Sequence, residues 1–213
     1  MKLAIPADRI ERRLAAIHAI APAAAERLAT WSETLNQWSR AQRLVGWRTA
    51  ADLLERGIAD CWVDVALLDR PDLADAPIVD VGSGSGLPGL ILAAAWPARA
   101  IHLVESRRKR AAFLREAARA MGASGVQVHH GRSEAFRETL GLDGPIFVSR
   151  AFAAPGDAVR EAESWGAAHV VVATSDEKIG REPAWPPAGW RQSHGNSRQT
   201  QGASLHDLLQ RTV

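Results

Sequence analysis

A run of glycines directly after a short apolar segment is the part of this chain best suited to bind a ligand. Residues 78–89 read Ile-Val-Asp-Val-Gly-Ser-Gly-Ser-Gly-Leu-Pro-Gly. Glycine allows turns with positive φ and lets a ligand approach main-chain N–H groups without a Cβ in the way. Glu105 ends the next apolar run, 19 residues after Gly86, where a carboxylate can accept both hydroxyls of a ribose. The spacing predicts a nucleotide-like ligand.

Two classes of cofactor use such a unit. Gly84-x-Gly86-x-x-Gly89 has the form of a dinucleotide fingerprint, but its first glycine would come two residues late, with Pro88 inside the motif. Counted from the strand end, the loop reads Asp80-x-Gly82-x-Gly84-x-Gly86, the form used by Rossmann-like S-adenosylmethionine-dependent methyltransferases. A carboxylate at Asp80 suits the cationic amino group of that cofactor and would repel a pyrophosphate. S-adenosylmethionine is therefore the predicted cofactor, with a dinucleotide or an unliganded turn as alternatives.

The elements that must position this loop follow from the hydrophobic pattern. From residue 77, short β-branched runs alternate with helix-period stretches, which is typical of a parallel α/β sheet. We predict an N-terminal helical extension over 1–76, whose third helix begins at Thr49 and could break at Gly57, and a methyltransferase domain over 77–213. The predicted strands are 78–81, 100–104, 125–129, 145–149 and 169–173, and the predicted helices between them are 88–95, 107–121 and 155–164.

Composition narrows the class of protein. With 213 residues, 46% hydrophobic and 23% charged, the chain has the makeup of a globular protein rather than a disordered or fibrous one. It has no apolar run of about 18 residues, and charges interrupt the first 20, so we expect a cytosolic protein without a membrane segment. Its lone cysteine, Cys61, excludes an internal disulfide and a zinc set, and no metal is expected.

Positive charge is concentrated in the middle of the chain. The net charge is +2, but residues 78–150 alone carry an excess of four positive charges, and arginine supplies most of them. Arginine is a good partner for phosphates and for stacked bases. This pattern indicates a nucleic-acid partner, although GC-rich coding would explain the arginine content equally well.

Four segments resemble one family. They are 79–89, 103–106 (Leu-Val-Glu-Ser), 132–136 (Arg-Ser-Glu-Ala-Phe) and above all 148–153 (Val-Ser-Arg-Ala-Phe-Ala). Together they resemble the small-subunit ribosomal RNA guanine-N7 methyltransferases, RsmG, also called glucose-inhibited division protein B. The resemblance covers residues 78–153 well and the N-terminal helices more loosely. It implies a Rossmann-like class I fold and methyl transfer from S-adenosylmethionine to guanine N7 in 16S ribosomal RNA.

The resemblance also implies roles for individual residues. The main chain at Gly82 and Leu87 would contact the cofactor, Glu105 would hold its ribose, and Ser133 and Glu134 would flank its adenine. We add the remaining loop residues to the cofactor set, which are Asp80, Gly84 and Gly86.

The acceptor side has fewer candidates. Arg150 is expected at the cofactor and target site as the catalytic candidate, and Phe152 as a side chain that could receive the flipped base. No general base is assigned, because guanine N7 carries no proton to remove. The predicted RNA-binding residues are Arg107, Arg108, Arg110 and Arg132.

Departures from the family pattern fall on the substrate side. Arg43 replaces an Asn, Gly57 replaces a His, and 174–176 replace Leu-Lys-Gly. The family's closing hairpin is not evident after Trp190.

We expect a monomer that acts on ribosomal RNA or the small subunit. The alternatives are a different RNA or small-molecule target, a cofactor-binding module without turnover, and a dinucleotide-dependent oxidoreductase.

Overall fold

A seven-stranded sheet forms the middle layer of the protein. The computed structural model describes residues 3–42, 44–150, 154–195 and 204–212. The strand order is β3-β2-β1-β4-β5-β7-β6, with the first five parallel and β7 antiparallel to both its neighbours. The strands are β1 Ile78–Val81, β2 Ile101–Glu105, β3 Val126–His130, β4 Ile146–Arg150, β5 His169–Thr174, β6 Trp190–Gly195 and β7 Leu205–Arg211.

Helices cover both faces of this sheet. They are α1 Ala7–Leu14, α2 Pro22–Trp38, α3 Ala50–Leu53, α4 Asp60–Leu68, α5 Gly89–Ala95, α6 Arg108–Ala120, α7 Arg137–Leu140, α8 Pro155–Ser164 and α9 Asp176–Ile179. None of the helices in the described ranges is long and apolar enough to cross a membrane. The α/β fold class is confirmed, and each predicted strand and helix of the sheet region lies within one residue of its expected bounds.

The sheet separates two apolar cores. One face carries Ile78, Leu103 and Val148, which pack in a single cluster with the N-terminal helices and with α5 and α6. The other face carries Val79, Val81 and further side chains that pack against α8. The N-terminal helices therefore share a core with the sheet rather than forming one of their own.

The predicted third helix begins as expected but does not break at Gly57. The Thr49 hydroxyl accepts a hydrogen bond from the Asp52 N–H at 3.1 Å, which confirms the predicted N-cap. Residues Leu54–Ala59 then form a π-helical turn that leads without interruption into α4. A Cβ at Gly57 would lie 3.2 Å from the Trp47 ring and 3.2 Å from Leu53. Close packing against that ring, rather than a chain break, explains the glycine.

A closing hairpin is present even though the sequence did not make it evident. β6 and β7 pair with each other, and β7 adds to β5 with Val171 opposite Leu208. The polar residues His206 and Asp207 hide this strand from the hydrophobic pattern, although both are buried. Asp207 accepts a hydrogen bond from Trp185 Nε1 at 2.8 Å, and His206 has partners in α4, so neither polar group is buried alone.

A buried cluster of charges joins the helices, β4 and the hairpin. Arg150 Nη2 lies 2.5 Å from Asp60 Oδ2, and His206 Nδ1 lies 2.6 Å from Asp64 Oδ1. The second His206 nitrogen lies 3.4 Å from Asp60 Oδ1, and the Ser204 hydroxyl donates to Asp60 at 2.9 Å. Two carboxylates thus face one guanidinium and one imidazole.

The pKa values of Asp60 and His206 shift in opposite directions. Burial would raise the pKa of Asp60, but the interaction with His206 and the charge of Arg150 outweigh it and bring the pKa to about 2. Burial would lower the pKa of His206, but Asp64 and Asp60 raise it to about 9. His206 is therefore protonated at neutral pH and lies beside the ionised carboxylate of Asp60.

The raised pKa of His206 gives a pH-dependent stability. The pKa is about 9 in the folded state and 6.5 for an unperturbed histidine, so the contribution to stability is complete below pH 6.5 and is lost as the pH rises through 9. We expect His206→Gln to lower the free energy of unfolding by about 3 to 5 kcal/mol at pH 6.5, because it leaves a buried carboxylate unpaired. Urea unfolding between pH 6 and 9.5 measures this.

The surface pair His18–Asp69, whose side chains are 27% and 53% exposed, provides the control. His18→Gln should change stability by less than about 1 kcal/mol. The difference between wild type and His206→Gln should shrink toward pH 9.5. Parallel curves over the whole range would mean that His206 is neutral in the folded protein.

Candidate functional site

The glycine loop lies at the carboxyl edge of the sheet, where parallel strands bring their ends together. Gly82, Gly84 and Gly86 have φ values of 76°, 58° and 89°, which only glycine adopts without strain. The positive φ expected for this loop is therefore confirmed. The loop also touches the N-terminal helices, because buried Trp31 donates from Nε1 to the Ser85 carbonyl at 3.2 Å.

The glycines of this loop have different surroundings. A Cβ at Gly86 would lie 2.5 Å from Leu90, and one at Gly89 would lie 2.3 Å from Leu103. Those two positions need glycine because helix α5 packs closely there. A Cβ at Gly84 would meet only Gly82 O at 3.6 Å and Arg110 Nη1 at 3.7 Å. A side chain at Gly84 would thus meet only ordinary contacts, so packing within the protein does not require glycine there.

Glu105 connects this loop to the start of α6. The residue is 4% exposed. Its carboxylate accepts hydrogen bonds from Gly84 N at 2.9 Å and from Arg107 N at 2.7 Å. Each carboxylate oxygen can accept a second hydrogen bond. Glu105 can therefore hold the loop and bind a ligand hydroxyl at the same time.

Asp80 lies beneath the loop. It is 1% exposed, and its Oδ2 accepts a hydrogen bond from Gly89 N at 3.1 Å. Burial raises the pKa of Asp80 to about 7, against the opposing effect of the bond from Gly89. The observed contact is with the first residue of α5, so any effect on a bound amino group would act through the loop as an electrostatic attraction.

A cavity of about 230 Å³ opens beside the loop, between the ends of β1, β2 and β3. It brings together four residues that the sequence analysis singled out, Gly82, Arg132, Ser133 and Glu134. It also contains residues that the sequence analysis did not select, which are Val81, Val104, Ser106, Gly131 and Glu161.

Glu161 comes from α8, and no sequence motif marked it. Arg137 Nη2 donates to its two oxygens at 2.8 and 2.6 Å, and the Ser133 hydroxyl donates to Oε1. Trp165 Nε1 donates to the Ser133 hydroxyl at 2.9 Å. Burial would raise the pKa of Glu161, but the hydrogen bonds from Arg137 and Ser133 lower it. Glu161 is therefore ionised at neutral pH.

Arg150 extends from the end of β4 toward the helical layer. Its Nη1 donates to Gly57 O at 3.3 Å and to Cys61 Sγ at 2.9 Å, and Nη2 donates to Arg56 O at 2.7 Å, beside the ion pair with Asp60. Both Nη atoms therefore have partners within the protein. The expectation of a direct contact with cofactor and base stays a prediction, and Phe152 and Arg43 lie outside the described residues.

Basic side chains surround the same edge of the sheet. Arg107 and Arg108 are exposed where α6 begins, and Arg132 is exposed at the rim of the cavity. The half-buried Arg110 lies close to Gly84. Positive charge at the start of a helix opposes the helix dipole, so the charges of Arg107 and Arg108 do not stabilise α6.

Comparisons with known proteins found relatives that share one name. The family model described as GidB, rRNA small subunit methyltransferase G, matches residues 24–165. A ribosomal RNA small subunit methyltransferase G from Nitratidesulfovibrio vulgaris is 40% identical over 132 residues, which is 62% of this chain and 60% of that protein. One from Sodalis glossinidius is 35% identical over 150 residues, 70% of this chain and 69% of that protein.

Solved structures support the fold. A mutant of MtNAS in complex with S-adenosylmethionine has a TM-score of 0.55 at 16% identity, over 97% of this chain and 89% of that one. A Klebsiella pneumoniae protein named as an O-methyltransferase has a TM-score of 0.59 at 15% identity, over 97% of each chain. At these identities the likeness concerns the fold alone. The family model and the curated relatives are stronger evidence than the fold. They show that the chain belongs to the rRNA small subunit methyltransferase G family.

Proposed function

We propose that this protein transfers a methyl group from S-adenosylmethionine to guanine N7 in the 16S RNA of the small ribosomal subunit. The observation that carries the proposal is the glycine loop joined to buried Glu105 beside a cavity, in a chain that belongs to a family of ribosomal RNA methyltransferases. The curated match with the Nitratidesulfovibrio protein spans 60% of that protein's length.

The residues present fit the proposed cofactor. Gly84 leaves open space where a Cβ would stand, and Glu105 keeps acceptor positions for ribose hydroxyls. Gly82 and Leu87 would offer main-chain contacts, while Ser133 and Glu134 border the cavity where a purine can lie. The cofactor supplies an electrophilic methyl group on a positively charged sulfur. A cation here also favours the ionised form of Asp80, whose pKa is about 7.

Guanine N7 needs no base to activate it, because its lone pair is already free. The protein's task is then placement of the acceptor in line with the methyl group. We propose that Arg150 serves this task as a positioning residue, since its contacts hold the carboxyl end of β4 against Arg56 and Gly57. Arg107, Arg108, Arg110 and Arg132 would bind the RNA phosphates around the cavity.

Gly84→Ala tests the cofactor site. The new Cβ has room within the protein but stands where the ligand would approach, so we expect affinity for S-adenosylmethionine to fall at least tenfold in calorimetry. Gly122→Ala is the control, because Gly122 has a φ of 66° and open surroundings away from the loop. Both variants should lose about 1 kcal/mol of stability. Equal cofactor affinity in the two variants, or stronger binding of NAD by wild type, would contradict the assignment.

Methyl transfer to RNA tests the function itself. We expect wild type to transfer labelled methyl groups to 30S subunits or naked 16S RNA, with the label recovered as 7-methylguanosine, and not to total tRNA. Arg150→Lys should lower this rate about 10-fold to 150-fold, since lysine loses the planar fork, with a smaller loss of cofactor affinity. Arg160→Lys, at an exposed ion pair on α8, should retain activity. Labelling of tRNA alone would mean that the substrate is tRNA rather than 16S RNA. Cofactor binding without any methyl transfer would favour a binding module.

Salt dependence tests the RNA surface. Arg108→Gln should reduce the slope of log affinity against log salt by about 0.7 to 0.9 if the side chain contacts one phosphate. Arg119→Gln is the control, because Arg119 is exposed on the same helix at its other end and pairs with Glu116. Equal slopes in Arg108→Gln and wild type would leave Arg108 outside the interface.

A further inference from the structure

The cavity beside the glycine loop has an acidic wall that belongs to α8. Glu161 lines it together with Gly131 and the turn at 132–134, although α8 follows β4 and comes from a different part of the chain. Buried Val81 and Val104, 5% and 1% exposed, contribute an apolar wall. A flat ring with a polar edge suits such a space, with one face against the apolar wall and its edge toward Glu161.

The hydrogen bonds around Glu161 decide which atoms can meet a ligand. Ser133 has one hydroxyl hydrogen, which it donates to Glu161 Oε1, while it accepts from Trp165. Its side chain is therefore committed to the protein. Oε1 of Glu161 also accepts from Arg137 and lies 3.3 Å from Trp165 Nε1, whereas Oε2 accepts from Arg137 alone at 2.6 Å. Oε2 keeps an acceptor position open.

An ionised carboxylate can only accept hydrogen bonds. Arg137 and Ser133 hold the pKa of Glu161 below its usual range, so this wall offers an acceptor and no donor at neutral pH. Adenine presents a 6-amino donor at its edge, whereas hypoxanthine presents a 6-oxo acceptor. Two acceptors facing each other would be left unpaired, which is the strongest basis for rejecting a close analogue.

We propose that Glu161 recognises the 6-amino group of the purine in the methyl donor and thereby makes the site specific for adenine over 6-oxopurines. The inference rests on the proposed function, which places the ribose at Glu105 and the base in this cavity. It assigns to Glu161 the hydrogen bond with the edge of the base, and to Arg137 and Ser133 the orientation of the Glu161 carboxylate.

Calorimetry with two ligands tests this role. The probes are S-adenosylhomocysteine and S-inosylhomocysteine, which differ only in the 6-amino or 6-oxo group. We expect wild type to prefer the adenosyl compound about 10-fold to 150-fold. Glu161→Gln should lose this preference or invert it, because a glutamine amide can donate to the 6-oxo group. Glu163→Gln is the control, since Glu163 is on the same helix but accepts from Trp190 at 2.9 Å, and it should keep the wild-type preference.

Each other outcome counts against the proposal. Equal weakening of both ligands in Glu161→Gln would make the residue a support for the turn at 132–134, and loss of preference in Glu134→Gln alone would assign the recognition to Glu134. If Glu161→Gln does not fold, Glu161→Asp is the second variant, because it keeps the charge but places the carboxylate oxygens one methylene farther from the ligand. An undiminished preference for the adenosyl compound in Glu161→Asp would overturn the role of Glu161. Wild type that binds both ligands equally refutes only the role of Glu161, whereas wild type that binds neither refutes the proposed cofactor as well.

Discussion

The buried ion pair between Arg150 and Asp60 is the contact on which the rest of the arrangement depends. It joins the carboxyl end of β4 to the start of α4, and His206 extends it to Asp64 and the last strand. A charge buried alone costs several kcal/mol, so such groups are tolerated only as a complete set. The cluster balances two acids with two bases, and this requires the helices, the sheet and the hairpin to be in place together.

This coupling makes the N-terminal helices part of the site. They share an apolar core with the sheet, and Trp31 donates directly to the glycine loop. The π-helical turn before α4 presents the carbonyls of Arg56 and Gly57 to the Arg150 guanidinium. Gly57, which departs from the pattern that the resemblance leads one to expect, packs against Trp47 at this turn. The departure thus lies within the contact between helices and sheet, at the end of the strand next to β1.

The proposed cofactor site draws on three separate stretches of chain. The glycine loop and Glu105 belong to one strand–helix–strand unit, and their mutual hydrogen bond holds the loop open at Gly84. The turn at 132–134 forms the next wall, and α8 adds Glu161. Because parallel strands end at one edge, these stretches meet there without any of them being close in sequence. Arg132 lies at the rim of this cavity, and Arg107 and Arg108 are exposed where α6 begins.

Features that depend on neighbouring residues could be predicted from the sequence. The five parallel strands, the positive φ of the loop glycines and the Thr49 cap all follow from local sterics and hydrogen bonding, and the structure has them within a residue. Only the tertiary structure revealed β7, the partners of Arg150 and the position of Glu161. From the sequence alone, His206 and Asp207 would be predicted to lie at the surface, whereas in the structure His206 contacts Asp64 and Asp207 contacts Trp185. Likewise, nothing in the pattern of α8 distinguishes a glutamate that lines a cavity from one that faces water. A buried polar group is stable only with a partner, and these partners come from distant parts of the chain that folding alone brings together.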